Sequence, residues 1–587
     1  PAPTTSFMVA PGFAEPSFQP YPGPEAAPEE AERPPAATRV RVTGPQRAPD
    51  TQPNLARSSK AMAIGTIASR GTGFLRTFVL AIALGSGPLA DAYNNSNTLP
   101  NTVYYLFLGG IFTSVVVPLL VSAAKNHPDK GQAYAERIFT LGAVVLLIVT
   151  VAGTALAGPI ADLYSGGISG DEHRVMVIFA YFFIPQIFFY GMDALLGAIL
   201  NVRGRFGPNM WTPVINNVVV IIVFALFVVV DGLHRTPQDI SPGGLQLLGI
   251  GTTIGVVIQS LALFPIVKRA GFSFRLRFDF RRAELSEIGR MAGWMLGYVV
   301  SQWAGNLVLQ IVANTASSRP DATPGTGYTA YSIALQLFQL PYAIVGLSVI
   351  SALLPRMSGH ATDRRYSLVR EDFSTGVRVA SVIVVPAAVF LGVLGAPLCE
   401  FLFSYGSLSV NEARYIGEVF GLLSLGLMPF MLTQLQLRVF YSFHNNRTPA
   451  IVGVVMFAVG AIGDFVALAV LSPSSVVLGL GAVYGLMTLV GAVIAWPLLL
   501  RHVGSLDGRR ITRSLVRMFL ATLPGLGWIF VTMAVAGTFT HQGPVYGFVS
   551  TVVGGGGALL LFALCARLLG IEEFRVLLRT VGGRFGR

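Results

Sequence analysis

The stretch PNMWTPVINNVVVIIVFALFVVV, residues 208–230, runs 23 residues without Asp, Glu, Lys or Arg. As a helix rising about 1.5 Å per residue it is long enough to cross the roughly 30 Å hydrocarbon core of a bilayer. Lipid tolerates only helices and closed barrels, because every backbone polar group must find its partner internally. Barrel strands need only about 10 residues, so this run predicts a membrane-spanning helix. Thirteen further apolar runs bring the total to about fourteen: 60–84, 91–123, 133–158, 172–201, 242–266, 287–315, 327–356, 368–394, 413–443, 448–471, 475–501, 512–537 and 545–569. The second and tenth exceed the bilayer and must tilt, kink or project.

The composition agrees. The chain has 587 residues, 53% hydrophobic and 12% charged, with mean hydropathy +0.63. A soluble domain carries about 25% charge, so a soluble enzyme, a nucleic-acid module and a disordered scaffold are excluded. An all-α polytopic membrane protein is left. Two distant cysteines, Cys399 and Cys565, exclude a disulfide framework and a Cys-based zinc cluster. There is no Walker loop, no HExxH and no loop large enough for a glycosyltransferase domain. Neither a catalytic residue nor a metal site is assigned. Residues 1–57 hold 13 of the 36 prolines and no apolar periodicity, which predicts a disordered cytoplasmic tail. It contains no signal-peptide core, and its opening at Pro1 reads as trimming.

Basic residues set the topology. Arg57 and Lys60, then Lys125, Lys130 and Arg137, then Arg203 and Arg205 fall in alternate breaks. So do Lys268, Arg269, Arg275, Arg277, Arg281 and Arg282, and later Arg356, Arg364, Arg365 and Arg370. Arg447, the group Arg501, Arg509, Arg510 and Arg513, and the final tail continue the series. The intervening breaks hold only Arg174, Arg235, Arg319 and Arg414. Both termini are therefore expected in the cytoplasm. The net charge of +12 is a topology signal whose partner is anionic lipid at the cytoplasmic loops, with no need for nucleic acid.

A repeat is also legible. Leu99-Pro100 matches Leu340-Pro341, and Arg205-Phe206-Gly207-Pro208 matches Asn446-Arg447-Thr448-Pro449. Both proline pairs stand 241 residues apart. That offset maps runs one to six onto seven to twelve, in the same sense, which predicts two pseudo-symmetric six-helix lobes around a central cavity. The expected boundaries are a first lobe at 58–266, a basic linker at 267–286 and a second lobe at 287–501. Two extra helices at 502–570 and a basic tail at 571–587 complete the chain.

Charge at membrane depth costs at least about 2.5–3.5 kcal/mol per residue and marks function by default. The first run contains Ser69-Arg70-Gly71-Thr72-Gly73-Phe74-Leu75-Arg76. Six residues turn about 240°, so the arginines do not share a face, although their length lets both reach one wide cavity. They read as paired cationic contacts for a phosphate-bearing substrate, or alternatively as a snorkelling pair or a structural partner for Asp91. The second run opens Asp91-Ala92-Tyr93-Asn94-Asn95-Ser96-Asn97-Thr98-Leu99-Pro100-Asn101. It is too polar for lipid and fits a sugar-binding mouth with Asp91, Asn95 and Asn101 as contacts. In the seventh, Gln302, Asn306, Gln310 and Asn314 recur at i+4, a stripe that faces a cavity or glues helices. The eighth adds Tyr331, Ser332, Gln336 and Gln339, and the tenth Gln434, Gln436 and Arg438. Gln302, Asn306 and Gln336 join the substrate-binding candidates. Asp193 and Asp464 are lone acids, either cation-coupling sites or simply hydrogen-bonded residues. The run Gly554-Gly555-Gly556-Gly557 permits close helix packing or a groove for an acyl or prenyl chain.

Together, Ser69-Arg70, Gly73-Phe74, Arg76, Asp91-Ala92, Leu99-Pro100-Asn101 and Val117-Pro118 resemble the N-terminal signature of the MurJ/MviN family. Gly197-Ala198-Ile199-Leu200-Asn201, Arg205-Phe206, Pro208, Leu353-Leu354-Pro355 and Ser358 extend the resemblance. So do Leu402-Phe403-Ser404-Tyr405-Gly406, Tyr441-Ser442 and Arg447-Thr448-Pro449, so that it covers about residues 60–570. The proline-rich tail and scarce lysine are similar to actinobacterial members. These are lipid II flippases within the multidrug/oligosaccharidyl-lipid/polysaccharide exporter superfamily. The resemblance implies a multi-pass protein of the bacterial plasma membrane. It would move lipid II, or a similar polyprenyl-pyrophosphate-linked saccharide, from inner to outer leaflet by alternating access for peptidoglycan synthesis. It implies no resident cofactor, with the membrane potential or a coupling cation (Na+ or H+) as driving force, and cell-wall synthesis proteins as further partners. Family members often carry cations after Leu-Pro-Asn and in the eighth helix, where this chain has Tyr104-Tyr105 and Gln336. Another lipid-linked oligosaccharide flippase, a drug/cation antiporter of the same superfamily and a non-transporting cell-wall scaffold stay as alternatives.

Overall fold

Start signals written in the sequence fix where the helices begin. Pro208 occupies the first turn of its helix, and Pro242 follows a Ser241 cap whose Oγ accepts the Gly244 N–H at 2.9 Å. Ser409 and Glu412 form a reciprocal capping box. The computed structural model describes residues 52–105, 120, 123, 129, 131–205, 207–279, 282–443 and 445–575, apart from scattered side chains within them. Residues 1–51 of the proline-rich segment and 576–587 of the basic tail lie outside this set. Residues 52–57, read from composition as tail, are helical.

The first lobe comprises α1 (Gln52–Leu84), α2 (Pro88–Tyr105), α3 (Gln132–Ala155), α4 (Ala157–Ser165), α5 (Gly170–Phe183), α6 (Gln186–Val202), α7 (Pro208–Val230) and α8 (Pro242–Arg269). The second has α9 (Arg282–Ser317), α10 (Tyr328–Thr362), α11 (Tyr366–Phe403), α12 (Val410–Leu425), α13 (Leu427–Ser442), α14 (Arg447–Val470) and α15 (Pro473–Val503). Then come α16 (Gly508–Phe539), α17 (Pro544–Phe548), a π-helical turn at Val549–Gly555 and α18 (Gly556–Leu568). Several expected spans are broken helices: α3 with α4, α5 with α6, and α12 with α13, which bend by 47°. Among the described residues ten helices are long and apolar enough to cross a membrane, or eleven if that bent pair counts as one. The difference from fourteen falls on α2, α9 and α10. Amides interrupt the apolar runs of α2 and α9, and the sequence from Leu106 that would complete the second run lies outside the described residues.

The two lobes repeat one pairing scheme. In the first, α2 packs on α5, α3 on α6, α6 on α8, and α7 on α8; in the second, α10 packs on α12, α11 on α12, α13 on α15, and α14 on α15. These are the same steps in the six-span order, as the 241-residue offset predicts. Each lobe has its own core. Tyr93 anchors the first, edge-on to Phe179, Phe183 and Phe224 with centroids 5.1–5.5 Å away, and its hydroxyl meets Thr252 Oγ1 at 2.8 Å. The second core runs through Phe338, Phe373, Phe403, Phe420 and Phe440. Helices α16 and α18 attach to α11 through Met518, Ile529, Phe562, Val382 and Phe390.

The four-glycine run packs rather than opens. Trp528 Nε1 donates to Val553 O at 3.0 Å, and a Cβ on Gly557 would sit 2.1 Å from that same nitrogen. Side chains such as Val229, Phe539 and Leu560 are more than 70% exposed, as expected of a surface solvated by hydrocarbon. The linker lies along the first lobe: the Arg277 N–H donates to Thr140 Oγ1 at 3.0 Å, and Arg277 and Arg137 pair with Glu136 and Asp279.

Candidate functional site

Helix α1 runs between the lobes. Its first half rests on α7, where Asn217 Nδ2 donates to Ser69 O at 3.3 Å and Thr72 Oγ1 at 3.1 Å. Its second half meets the other lobe. Thr77 bonds Gln336, Phe78 lies 5.9 Å from Phe403, and the Ser407 N–H donates to Ile82 O at 2.8 Å. Arg70 stands one heptad before Thr77, within about 20° of the same face, and so turns toward α10. It is exposed, and Tyr342 of α10 lies within its electrostatic reach. Arg76 is half-buried, and Tyr93 of α2 lies within its electrostatic reach instead. The 240° separation read from the sequence is thus a real divergence. Among the described residues neither arginine forms an ion pair.

Asp91 is not their partner. It is buried, and its Oδ1 accepts the Thr329 N–H at 2.6 Å, in the first turn of α10. Its neighbours make the same junction: Asn94 Nδ2 donates to Thr329 Oγ1 at 3.1 Å, Thr98 meets the Tyr328 hydroxyl at 3.2 Å, and Asn95 Nδ2 donates to Asn314 Oδ1 at 3.0 Å. Asn314 in turn donates to Tyr164 O at 2.7 Å. Ser86 donates to Glu412 at 3.0 Å, and the His234 N–H to Ser407 Oγ at 2.9 Å. The Asn-rich opening of α2, expected as a sugar-binding mouth, is here a zipper between lobes at the end remote from the arginine-rich loops. Among the described residues Asn101 bonds its own helix, through Asn97 O at 2.7 Å. The side chain of Tyr104 lies outside the described residues.

The α9 stripe opens in the other direction. Gln302 is exposed and Asn306 half-buried, while Gln310 and Asn314 are fully buried. Gln336 is engaged by Thr77. The two acids are not brought together: Asp193 lies inside the first lobe beside Gln259 and Thr212, and Asp464 lies in α14, buried, within electrostatic reach of Tyr331.

Two features escaped the list of site residues. Arg438 of α13, noted only as polar, stacks over the Tyr441 ring at 5.6 Å, and Tyr342 of α10 lies within its electrostatic reach. Tyr342 is thus within electrostatic reach of both Arg438 of α13 and Arg70 of α1, an arrangement that only a charge near the end of the tenth run hinted at. At the remote end, buried Glu400 accepts the Gly543 N–H at 2.8 Å and lies 3.7 Å from Arg414. Here a lone acid among the apolar residues just after the ninth run was the available signal.

The family model described as lipid II flippase MurJ matches residues 80–549 of this chain. A probable lipid II flippase MurJ of Rhizobium meliloti (strain 1021) is 28% identical over 400 residues, 67% of this chain and 72% of the relative. One from Haemophilus influenzae is 26% identical over 407 residues, 66% and 76%. Among solved structures, a lipid II flippase MurJ in an inward closed conformation superposes with a TM-score of 0.68 at 18% identity, covering 86% of this chain and 99% of that one. An inward-facing multidrug resistance MATE transporter gives 0.58 at 15%, covering 74% and 96%.

Proposed function

Because the chain belongs to the MurJ family of lipid II flippases, we propose that it carries lipid II from the cytoplasmic to the outer leaflet of the bacterial plasma membrane, for peptidoglycan synthesis. It is a transporter working by alternating access between its two lobes. The observation that carries the reading is Arg70 and Arg76, two guanidinium groups within a membrane-spanning helix between the lobes, without a carboxylate paired to either among the described residues. Leaving such charges uncompensated in hydrocarbon is costly. An anionic headgroup in a wet vestibule removes the cost, and a forked guanidinium matches pyrophosphate oxygens.

The arginine-rich loops face the cytoplasm, as do both termini. The zipper at Asp91, Asn95 and Asn314 then closes the outer side, and the open end of the stripe at Gln302 and Asn306 receives cargo from the inner leaflet. The headgroup enters this vestibule while the polyprenyl chain stays in lipid. The outer zipper opens and the cytoplasmic ends close to release it. Each elementary charge moved through 100 mV supplies about 2.3 kcal/mol, so the membrane potential can drive the cycle, with Asp464 as the site for a coupling Na+ or H+. Anionic lipids neutralise the cytoplasmic loops.

The reading is tested in liposomes holding the full chain and a labelled lipid II analogue. Translocation is expected to fall at least tenfold in Arg70→Ala plus Arg76→Ala, two lost charge-assisted contacts being worth more than tenfold in affinity. Wild-type rates in that variant would remove the arginines from the mechanism.

A further inference from the structure

We propose that Arg438 is a further phosphate-contacting residue, held in place by Tyr342 and Tyr441 so that the cargo's pyrophosphate is gripped from both lobes, by Arg438 and Arg70. The proposal rests on the cargo having the chemistry of lipid II.

Arg438 lies within α13, in the second half of a bent span. It is half-buried, and its Nε is buried without a hydrogen-bond partner among the described residues. No carboxylate pairs with it among the described residues. What flanks it is aromatic: the Tyr441 ring lies 5.6 Å beneath its carbon, and the Tyr342 phenol is within its electrostatic reach. The ring orients the guanidinium without neutralising it. An arginine has five donors, so a ring face leaves the fork unspent. A half-buried cation with a buried, unfilled donor is costly unless an acceptor arrives.

Arg70 supplies the second half of the argument. Tyr342 lies within reach of both guanidinium groups, one on α1 of the first lobe and one on α13 of the second. Two like charges within electrostatic reach of one phenol repel each other, and an anion between them turns that repulsion into attraction. A pyrophosphate offers enough oxygens to meet two forks. Tyr342 is then a positioning residue that aims Arg438 in the absence of cargo.

The test uses the full chain in nanodiscs with two probes, undecaprenyl pyrophosphate and the neutral undecaprenol. Arg438→Gln is expected to weaken the pyrophosphate at least tenfold, the value of a charge-assisted contact, to leave undecaprenol unchanged, and to flatten the salt dependence of pyrophosphate binding. Arg438→Lys, which keeps the charge without the fork, and Tyr342→Phe, which removes the phenol oxygen near it, are each expected to cost about threefold to tenfold. Wild-type pyrophosphate affinity in Arg438→Gln overturns the proposal. So does equal loss of both probes together with a lowered unfolding temperature, since that is a structural role. If Arg438→Gln does not fold, Arg438→Lys decides, and wild-type pyrophosphate affinity in it overturns the proposal. A wild-type chain that binds the pyrophosphate through Arg438 but does not translocate lipid II would instead refute the transport reading and leave the anion contact standing.

Discussion

Asp91 of α2 accepts the backbone N–H of Thr329 at 2.6 Å, so a carboxylate from one lobe caps the first turn of a helix in the other. Helix α10 has no cap of its own, since Gly327 precedes it without a side chain. Gly327 is also what lets Asp91 approach: a Cβ there would lie 1.9 Å from Oδ2. The positive end of α10 favours the negative charge. One contact thus serves helix stability and closure of the lobes together.

Asp91→Ala removes this cap and is expected to cost the zippered state about 1–2 kcal/mol, shifting its population relative to an opened one by roughly fivefold to thirtyfold. Spin labels at Gly87→Cys and Asn411→Cys, on either side of the Ser86–Glu412 contact, should report a longer distance component. Gly327→Ala should act in the same direction by displacing the carboxylate. A distance distribution identical to wild type in both would separate closure from this cap.

Arg378 and Glu573 form an ion pair with about a tenth of each side chain exposed, tying α11 to the segment after α18. Removing one partner strands a buried charge, so Arg378→Ala should destabilise the protein by about 3–5 kcal/mol. Arg378→Met with Glu573→Leu should recover most of that loss, because paired apolar replacements avoid the desolvation term. Thermal unfolding of the four members of this cycle measures it, and a double variant no better than the single would contradict the ion-pair account.

Residues 208–230 gave away a spanning helix because hydrocarbon enforces internal hydrogen bonding, and nearly all the helices were legible for that reason. The lobes were legible because Pro208 and Pro449 open equivalent helices. Arg70 and Arg76 stood out because charge in an apolar run is rarely accidental. The partner of each polar group was not legible. Asp91 and Thr329 are 238 residues apart in the chain, and no local rule says that a carboxylate will find a foreign helix end. Arg438 was visible as a charge, but its aim depends on Tyr342 arriving from another helix. The glycine run at 554–557 was equally ambiguous, since a gap and a packing surface have the same sequence until Trp528 fills one of them.

Gly395 of α11 and Gly417 of α12 bring two backbones together. A Cβ on Gly417 would lie 2.3 Å from Gly395 O and 2.5 Å from the Ala396 Cα, and one on Gly395 would lie 2.4 Å from Gly417 O. Backbone cannot rotate aside as a side chain does. Gly417→Ala should therefore separate the helices at a cost of about 1–3 kcal/mol, the usual range for overpacking, despite alanine's better helix propensity. Gly556→Ala, where nothing lies within 4 Å, is the control and should be neutral or stabilising. Equal unfolding temperatures for the two would mean that the α11–α12 approach is looser than its geometry.

The exposure gradient along α9 makes the last expectation directional. Gln302 is exposed and Asn314 fully buried under Asn95 and Tyr164. In a background with Cys399 and Cys565 replaced, Gln302→Cys should react readily with a small charged maleimide added from the cytoplasmic side, and Asn314→Cys should be protected. Adding Asp91→Ala should raise the reactivity of Asn314→Cys from the outer side, because that substitution unfastens the zipper covering it. Asn314→Cys labelled as fast as Gln302→Cys from the cytoplasm, with Asp91 intact, would mean that the stripe lines an open channel from end to end, and alternating access between the two lobes would have to be abandoned.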